Sequence, residues 1–256
     1  MKYPVYVVSL QRDELRRENL QKIFKNYDKF EIVDAVDGRI LNAKDYYDAV
    51  LPSIAANYKT PQILSPSELG CTLSHIKVYE KFLSGSAPYA LVLEDDVIGN
   101  DEGIFKAFDM LKNISENSIL ICGAQDGLDS RFSAFGRRIC DDLFLVPIYS
   151  YRYIFRTTAY IITRKSAENL LNFYKNINYT LADAWDITLS HQNIKMYFAD
   201  IFSHPDDISN SGIQTERDTK STVYKMLSRP KWRRAITRLR CLFYRYFDKN
   251  EMIFRS

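Results

Sequence analysis

Apolar positions along the chain follow two alternating rhythms. Short runs rich in Val, Ile, Leu and Tyr, such as "YPVYVVSL" and "YALVLEDDV", read as buried strands. Longer segments with apolar residues three or four apart read as helices. "RDELRRENLQKIF" is the first of these, with acids early and Leu20, Ile23 and Phe24 later. "FEIVDAVDG" follows as a second strand ending in a turn, and β-α-β order favours a parallel sheet. Residues 41–64 contain Pro52 and Pro61 and read as an inserted loop or short helices.

The clearest helix start lies in "SPSELGCTLSHIKVYEKFL". Ser65 caps, Pro66 suits the first helical position, and Glu68 completes a capping box. Leu69, Leu73, Ile76 and Leu83 form the expected apolar stripe. "GSAP" breaks the chain before "YALVLEDDV". "SILIC" and "LFLVPIYSY" are further strands, and "AYIIT" followed by "RKSAENLLNFY" repeats the strand-to-helix pattern. The body is expected to end near residue 216. "SRPKWRRAITRLRCLFYRYF" then reads as a separate basic amphipathic helix, with Trp232, Ile236, Leu239, Phe243 and Phe247 at helical spacing.

Composition adds little to this picture, but charge placement adds more. The 256 residues are 46% apolar and 26% charged, as in ordinary globular proteins, and suffice for one large domain with an appendage. Net charge is +3; residues 220–256 hold 11 Lys/Arg and 2 acids, or +9, which leaves −6 for the rest. A mildly acidic body with a strongly basic tail points to an anionic surface as partner. Cys71, Cys122, Cys140 and Cys241 are scattered, which suggests neither a zinc site nor a disulfide framework. No secretory signal is expected, because "MKYPVYVVSLQRDE" turns charged after a short apolar run, and no membrane span, because no apolar run approaches about 18 residues.

The candidate chemistry starts at Glu94, Asp95 and Asp96. Adjacent carboxylates repel, so three together after a buried strand call for a counter-charge or much water. In open α/β sheets ligands bind beyond the carboxyl ends of strands. Hard oxygen ligands there suit Mg²⁺ or Mn²⁺ and, through them, phosphate. Strand alternation would put Glu94 and Asp96 on one side and Asp95 on the other. A solvated loop would give the same triplet.

"VVSLQRDELRR", "IVDAVDG", "SELGCTLSHIKVYEKF" and "YALVLEDDV", in that order, resemble glycosyltransferase family 25. This family contains bacterial lipooligosaccharide galactosyltransferases and collagen galactosyltransferases. The resemblance is strong over about residues 3–100 and continues weakly through "TAYIITRKSAENLL", "LADAW" and "HPDDISNSGI". It implies a GT-A-type α/β fold, a Rossmann-like mixed, mostly parallel sheet flanked by helices. Residues 1–216 would be the catalytic domain, with a nucleotide-binding half to about 100 and an acceptor-binding half from 101. Residues 217–256 would be the basic C-terminal segment. It also implies inverting transfer of a hexose, usually galactose from UDP-galactose, onto a lipid-linked oligosaccharide.

Under that resemblance "EDD" is a DxD-type element. Asp96 would bind Mn²⁺ or Mg²⁺, Glu94 the metal or the ribose, and Asp95 would sit beside the nucleotide. His204 is a candidate third ligand. Inversion needs a base for the acceptor hydroxyl, and "LADAWDITL" offers Asp183 and Asp186, with Trp185 to pack on a sugar face. Ser9, Leu10, Arg12 and Arg17 lie where the first strand enters its helix, a position that favours diphosphate; of the neighbours Arg16 and Arg17, one is expected on the solvated face. Asp34 and Ala35 would border the uridine, and His75 belongs to the "SH" motif. Two departures fall in the acceptor half. Arg156 stands where the family commonly has Gly, and "ICGAQDGLDSRF" matches no family motif. The tail reads as a peripheral anchor on the cytoplasmic side of the inner membrane or as a helix packed on its own domain with a solvated basic face, rather than as a nucleic-acid-binding element. Two rival readings are a metal-dependent phosphoesterase and a non-catalytic glycan- or surface-binding module. The first is disfavoured by the presence of only three His and the lack of a second acidic cluster.

Overall fold

A computed structural model of the chain describes residues 1–56, 63–177, 179–205, 216, 239, 243 and 250–254. The first strand, β1 (Val5–Ser9), leads into helix α1 (Glu14–Ile23) and then into β2 (Glu31–Asp34). Helices α2 (Ala43–Ala56) and α3 (Pro66–Ser84) precede β3 (Tyr89–Glu94) and α4 (Asp101–Asp109). Strands β4 (Ser118–Gly123), β5 (Phe135–Cys140), β6 (Leu143–Val146) and β7 (Ala159–Thr163) follow. Helices α5 (Arg164–Ile177) and α6 (Trp185–His191), then β8 (Lys195–Phe202) and β9 (Glu251–Met252), complete the order.

All nine strands join one sheet in the order β2-β1-β3-β7-β4-β8-β6-β5-β9. The β2-β1-β3 and β4-β8 pairings are parallel. Strands β7, β6 and β9 run against the rest. This is the mixed, helix-flanked sheet that the family resemblance implied. Alternation sorts the side chains between two cores. Tyr6, Val8, Ala90, Val92, Ile119, Ile121, Tyr160 and Ile162 face α3, α5 and α6. Val5, Val7, Leu91, Leu93, Leu120 and Ile161 face α1 and α4. Each such aliphatic side chain, fully buried, contributes about 1.5–3 kcal/mol of transfer free energy.

Four local expectations change. Residues 43–56 form one 14-residue helix despite Pro52. Asn42 starts it, its Oδ1 accepting from Asp45 N at 2.9 Å, and Lys44 pairs with Asp48 at 2.6 Å. The capping box of α3 forms as expected, with Ser65 Oγ and Glu68 each accepting from the other's backbone N–H. Its buried face, however, is Leu69, Thr72, His75, Val78, Tyr79 and Phe82, while Leu73, Ile76 and Leu83 are only partly buried. The face is rotated because Thr72 donates to Thr180 O and His75 reaches the sheet. In α1, Leu20 and Phe24 are buried but Ile23 is 44% exposed. In "LFLVPIYSY" only Leu143–Val146 is strand, and Ile148–Tyr153 turns into a 3₁₀ helix. The basic segment 228–247 lies outside the described residues except for Leu239 and Phe243, both helical and exposed.

Candidate active site

The carboxyl ends of β1, β2, β3 and β8 meet the entry into β7 at one pole of the sheet. Between them lies a cleft of about 670 Å³. Its walls include Ser9, Leu10, Arg12, Ala35, His75, Glu94, Asp95, Asp96, Asp183 and His204, which the sequence had already proposed. Arg17, Asp34 and Asp186 are not among the lining residues.

The acidic triplet divides differently from strict alternation, because the strand stops at Glu94 and the chain turns, with Val97 N donating to Glu94 O at 3.2 Å. Glu94 accepts from Thr157 Oγ1 at 2.6 Å and lies 3.2 Å from His75 Nε2. Burial would raise its carboxyl, but the hydrogen bonds from His75 and Thr157 outweigh that and hold it below the ordinary carboxylate range. Asp95 and Asp96 share the Arg16 guanidinium, at 2.9 and 3.5 Å. Arg16 is thus the counter-charge that the triplet required. Asp95 lies inside the cleft wall and is not turned away from it. Its carboxyl is raised by burial, which Ser9 and Arg16 only partly offset.

Asp96 differs from its neighbours. Its Oδ1 is buried with no hydrogen-bond partner among the described residues. Burial, followed by the charges of Glu94 and Asp95, pushes its carboxyl up to about 7. His204 Nε2 lies 3.7 Å from Asp96 Oδ2. The other ring nitrogen, Nδ1, is 2.7 Å from Pro205 O. A carbonyl only accepts, so Nδ1 carries the proton and a neutral ring presents a bare Nε2 to the carboxylate. Burial and the nearby Arg156 lower the His204 pKa and keep the ring neutral. Two acceptors facing each other beside an orphaned carboxylate oxygen are the donor set of a divalent cation, and a carbonyl behind the imidazole is its usual outer partner. The residues therefore fit Mn²⁺ or Mg²⁺.

A second grouping, Cys71, His75 and Glu94, has candidate ligand atoms within 4.8 Å of one another. There both nitrogens of His75 already have partners, Nδ1 meeting Tyr160 OH at 2.8 Å. An ionised Glu94 requires Nε2–H as donor, so the pair is a hydrogen-bonded brace that fixes Glu94 against the sheet.

On the β1–β2 side of the cleft, Arg12 and Arg39 both engage Asp37, Arg39 Nε at 3.2 Å. Burial would raise Asp37, but the two guanidinium groups outweigh it and hold the carboxyl low. Arg17 donates to Ser9 Oγ, Leu10 O and Gln11 O, and so braces the β1–α1 turn from behind. Asp34 is exposed, and its backbone oxygen accepts from Lys77 Nζ. The loop after β2 rests on α3 through Val36 N, which donates to Ser74 Oγ at 2.8 Å.

On the opposite wall, Asp183 Oδ2 accepts from Arg156 N at 3.1 Å. Arg156 has φ +68°, a left-handed conformation that costs a residue with a Cβ about 1–3 kcal/mol. Asp186 faces away and pairs with Arg152 at 3.3 Å. Trp185 is fully buried against Tyr160, so its ring does not reach a sugar. Of the pair Arg16 and Arg17, the sequence reading carried Arg17 into the site where the structure places Arg16, and it missed Thr157 and Thr158. Arg16 had a signal, one helical turn after Arg12. Thr157 and Thr158 had none, because only the reversal of β7 brings them beside Glu94.

A cleft at the strand ends of a helix-flanked sheet, lined by opposed carboxylates and arginines, is the layout of an α/β enzyme that holds its ligand at a sheet edge. The chain belongs to glycosyltransferase family 25: the family model described as "Glycosyltransferase family 25 (LPS biosynthesis protein)" matches residues 2–185. A glycosyltransferase 25 family member from Aedes aegypti is 37% identical over 101 residues, 36% of this chain and 16% of that protein. Procollagen galactosyltransferase 2 from Mus musculus is 32% identical over 97 residues, 36% of this chain and 15% of that protein. An inactive glycosyltransferase 25 family member 3, also from Mus musculus, is 35% identical over 97 residues. The chain thus matches only a small part of the length of these relatives. Among solved structures, the galactosyltransferase LgtC with donor and acceptor sugar analogs aligns at a TM-score of 0.35 and 13% identity, over 77% of this chain and 73% of that one.

Proposed function

We propose that the protein is a metal-dependent, inverting glycosyltransferase. It moves a hexose, galactose from UDP-galactose, onto a lipooligosaccharide or similar lipid-linked glycan at the cytoplasmic face of the inner membrane. The observation that carries this reading is the Asp96–His204 pair, a carboxylate with one orphaned buried oxygen facing an unprotonated ring nitrogen in the cleft of a family 25 chain.

Asp96 and His204 hold the cation, with Glu94 on the metal or the ribose. The bound Mn²⁺ or Mg²⁺ supplies Lewis-acid stabilisation of the diphosphate leaving group. Ser9, Leu10 and Ala35 form the nucleotide wall, with Asp95 and Arg16 beside them and Arg12 placed over that wall by Asp37. Asp183 takes the acceptor hydroxyl's proton as that oxygen attacks. The N–H of Arg156 fixes one carboxylate oxygen of Asp183 and so sets the orientation of the base.

Membrane association rests on the basic tail. Leu239 and Phe243, four residues apart, are 64% and 62% exposed, as an interface-seeking apolar face requires. Among the described residues no helix is long and apolar enough to cross a membrane. Removing residues 228–256 should move the protein from membranes to the soluble fraction.

The deciding experiment is a donor screen. The protein is incubated with Mn²⁺ and a panel of nucleotide sugars, and nucleotide release is measured with and without glycan acceptors. Acceptor-dependent release from UDP-galactose supports the proposal. Release from no donor, with UDP still bound, would favour the non-catalytic reading that the relatives named inactive keep open. Phosphate-ester hydrolysis without a sugar acceptor would favour the phosphoesterase.

A further inference from the structure

Arg156 is a pocket arginine held in a costly backbone conformation, and its side chain is paired unlike any other in the cleft. The left-handed backbone at φ +68° aims its N–H at Asp183. The same conformation sends the guanidinium across to the loop after β4, where Nη1 donates to Ala124 O at 2.8 Å and Asp126 O at 2.9 Å. Both acceptors are uncharged carbonyls. The other cleft arginines each form a contact ion pair: Arg12 and Arg39 with Asp37, Arg16 with Asp95 and Asp96. Among the described residues, no carboxylate forms an ion pair with Arg156, and its Nε and Nη2 have no hydrogen-bond partner. Its charge is felt by Asp126, Asp96, Glu94 and Asp183 in turn, so it lies among these groups without pairing to one.

Fixing Nη1 on two carbonyls orients the planar fork and leaves the edge made by Nε and Nη2 for a ligand. That edge donates two parallel hydrogen bonds, the geometry that matches carboxylate and phosphate oxygens. The cleft walls otherwise carry an excess of carboxylates, so an anionic substrate needs a cation not already held in an ion pair. A half-buried charge without a contact partner is costly unless a ligand completes it.

We propose that Arg156 is the receptor for a substrate oxyanion, a phosphate or carboxylate oxygen lying between the β3 carboxylates and Asp183. The proposal rests on the nucleotide-sugar reading for the identity of its ligand. Two sources carry such an oxygen: the donor diphosphate, and an acidic sugar. Arg156 thereby discriminates among substrates by charge as well as by shape.

The test is ligand binding by calorimetry, in Mn²⁺ and again in EDTA, to the intact protein and to Arg156→Gly, Arg156→Gln and Arg156→Lys. Glycine accepts the left-handed backbone, so Arg156→Gly should melt no lower than the parent and serves as the folding control. The probes are uridine, UDP, UDP-galactose and a UDP-hexuronate. Loss of one charge-assisted contact should weaken the relevant ligand about ten- to a hundredfold. A loss for UDP with uridine unchanged assigns the receptor to the diphosphate. A loss confined to the UDP-hexuronate assigns it to an acidic sugar. Lysine, lacking the fork, should restore little of either. Equal affinities for all four probes across the variants overturn the proposal while leaving the nucleotide-sugar reading standing. A parent protein that binds none of the UDP ligands sinks that reading, and this role with it.

Discussion

His204 Nε2 stands 3.7 Å from Asp96 Oδ2, while the proton of the ring is held on the far side by Pro205 O. Under the proposed function the pair would be a pH-sensitive metal site. Asp96 titrates near 7 in the folded protein against an ordinary 3.8. A ligand must be deprotonated to coordinate, so Mn²⁺ affinity should rise with pH up to about 7 and level off above it. The stability sign follows from the same shift. Between 3.8 and about 7 the folded chain holds a proton that the unfolded chain has lost, so the metal-free protein weakens as pH rises through that window. Melting curves should therefore show a larger Mn²⁺-induced rise in Tm at pH 8 than at pH 6. A rise independent of pH, or one retained in Asp96→Asn, would remove the metal from this position.

Gly70 and Gly38 let the loop after β2 lie directly on α3. A Cβ on Gly70 would stand 2.5 Å from Val36 O and 2.6 Å from Gly38 N, both backbone atoms that cannot rotate away. Gly70→Ala should cost about 1–3 kcal/mol and displace the wall that carries Ala35 and Asp37. Thermal melting and UDP affinity should both fall, and an unchanged Tm would show that the loop yields freely.

His75 holds Glu94 ionised from beneath. The stabilisation from Glu94 is present above its ordinary pKa of 4.5 and is lost as pH falls through its lowered folded value. His75→Leu should therefore move the acid limb of the pH–activity profile upward. His75→Gln, whose amide still donates, should restore part of the shift. A purely structural role would lower Tm in both variants and leave the limb in place.

Asp183→Asn retains an oxygen to accept from Arg156 N–H but removes the base. Donor binding should persist while kcat falls by about 10²–10⁴-fold. Asp186→Asn breaks only a half-exposed pair with Arg152, a change worth about 0–1 kcal/mol, and should leave kcat near the parent value. The reverse ranking, measured by steady-state transfer, would exchange the two roles.

Elements with strong local chemistry were legible in the sequence. The capping box at Ser65 and Glu68 fixed the start of α3, and the Val- and Leu-rich runs located β1 and β3. What escaped depended on contacts between distant segments. Pro52 suggested an interruption, yet the helix continues through it. The stripe on α3 was misplaced because Thr72 and His75, polar by type, are buried by partners on other elements. Trp185 looked like a sugar platform beside two aspartates, but Tyr160 and the core claim its ring. Arg156 was visible as a departure from the family pattern. Only its positive φ and its carbonyl partners give that departure a physical meaning.

The position of β7 bears on how the molecule is assembled. A strand from late in the chain sits between β3 and β4 and presents Thr157 and Thr158 to Glu94. A fragment ending near residue 100 would leave the backbone of Leu91 and Val92 as an open apolar edge. Neither that fragment nor its complement should fold alone. Expressed together, they should reassociate through this edge and the contacts of α3 with Tyr160 and Thr180, and recovered nucleotide binding would report that the edge had closed.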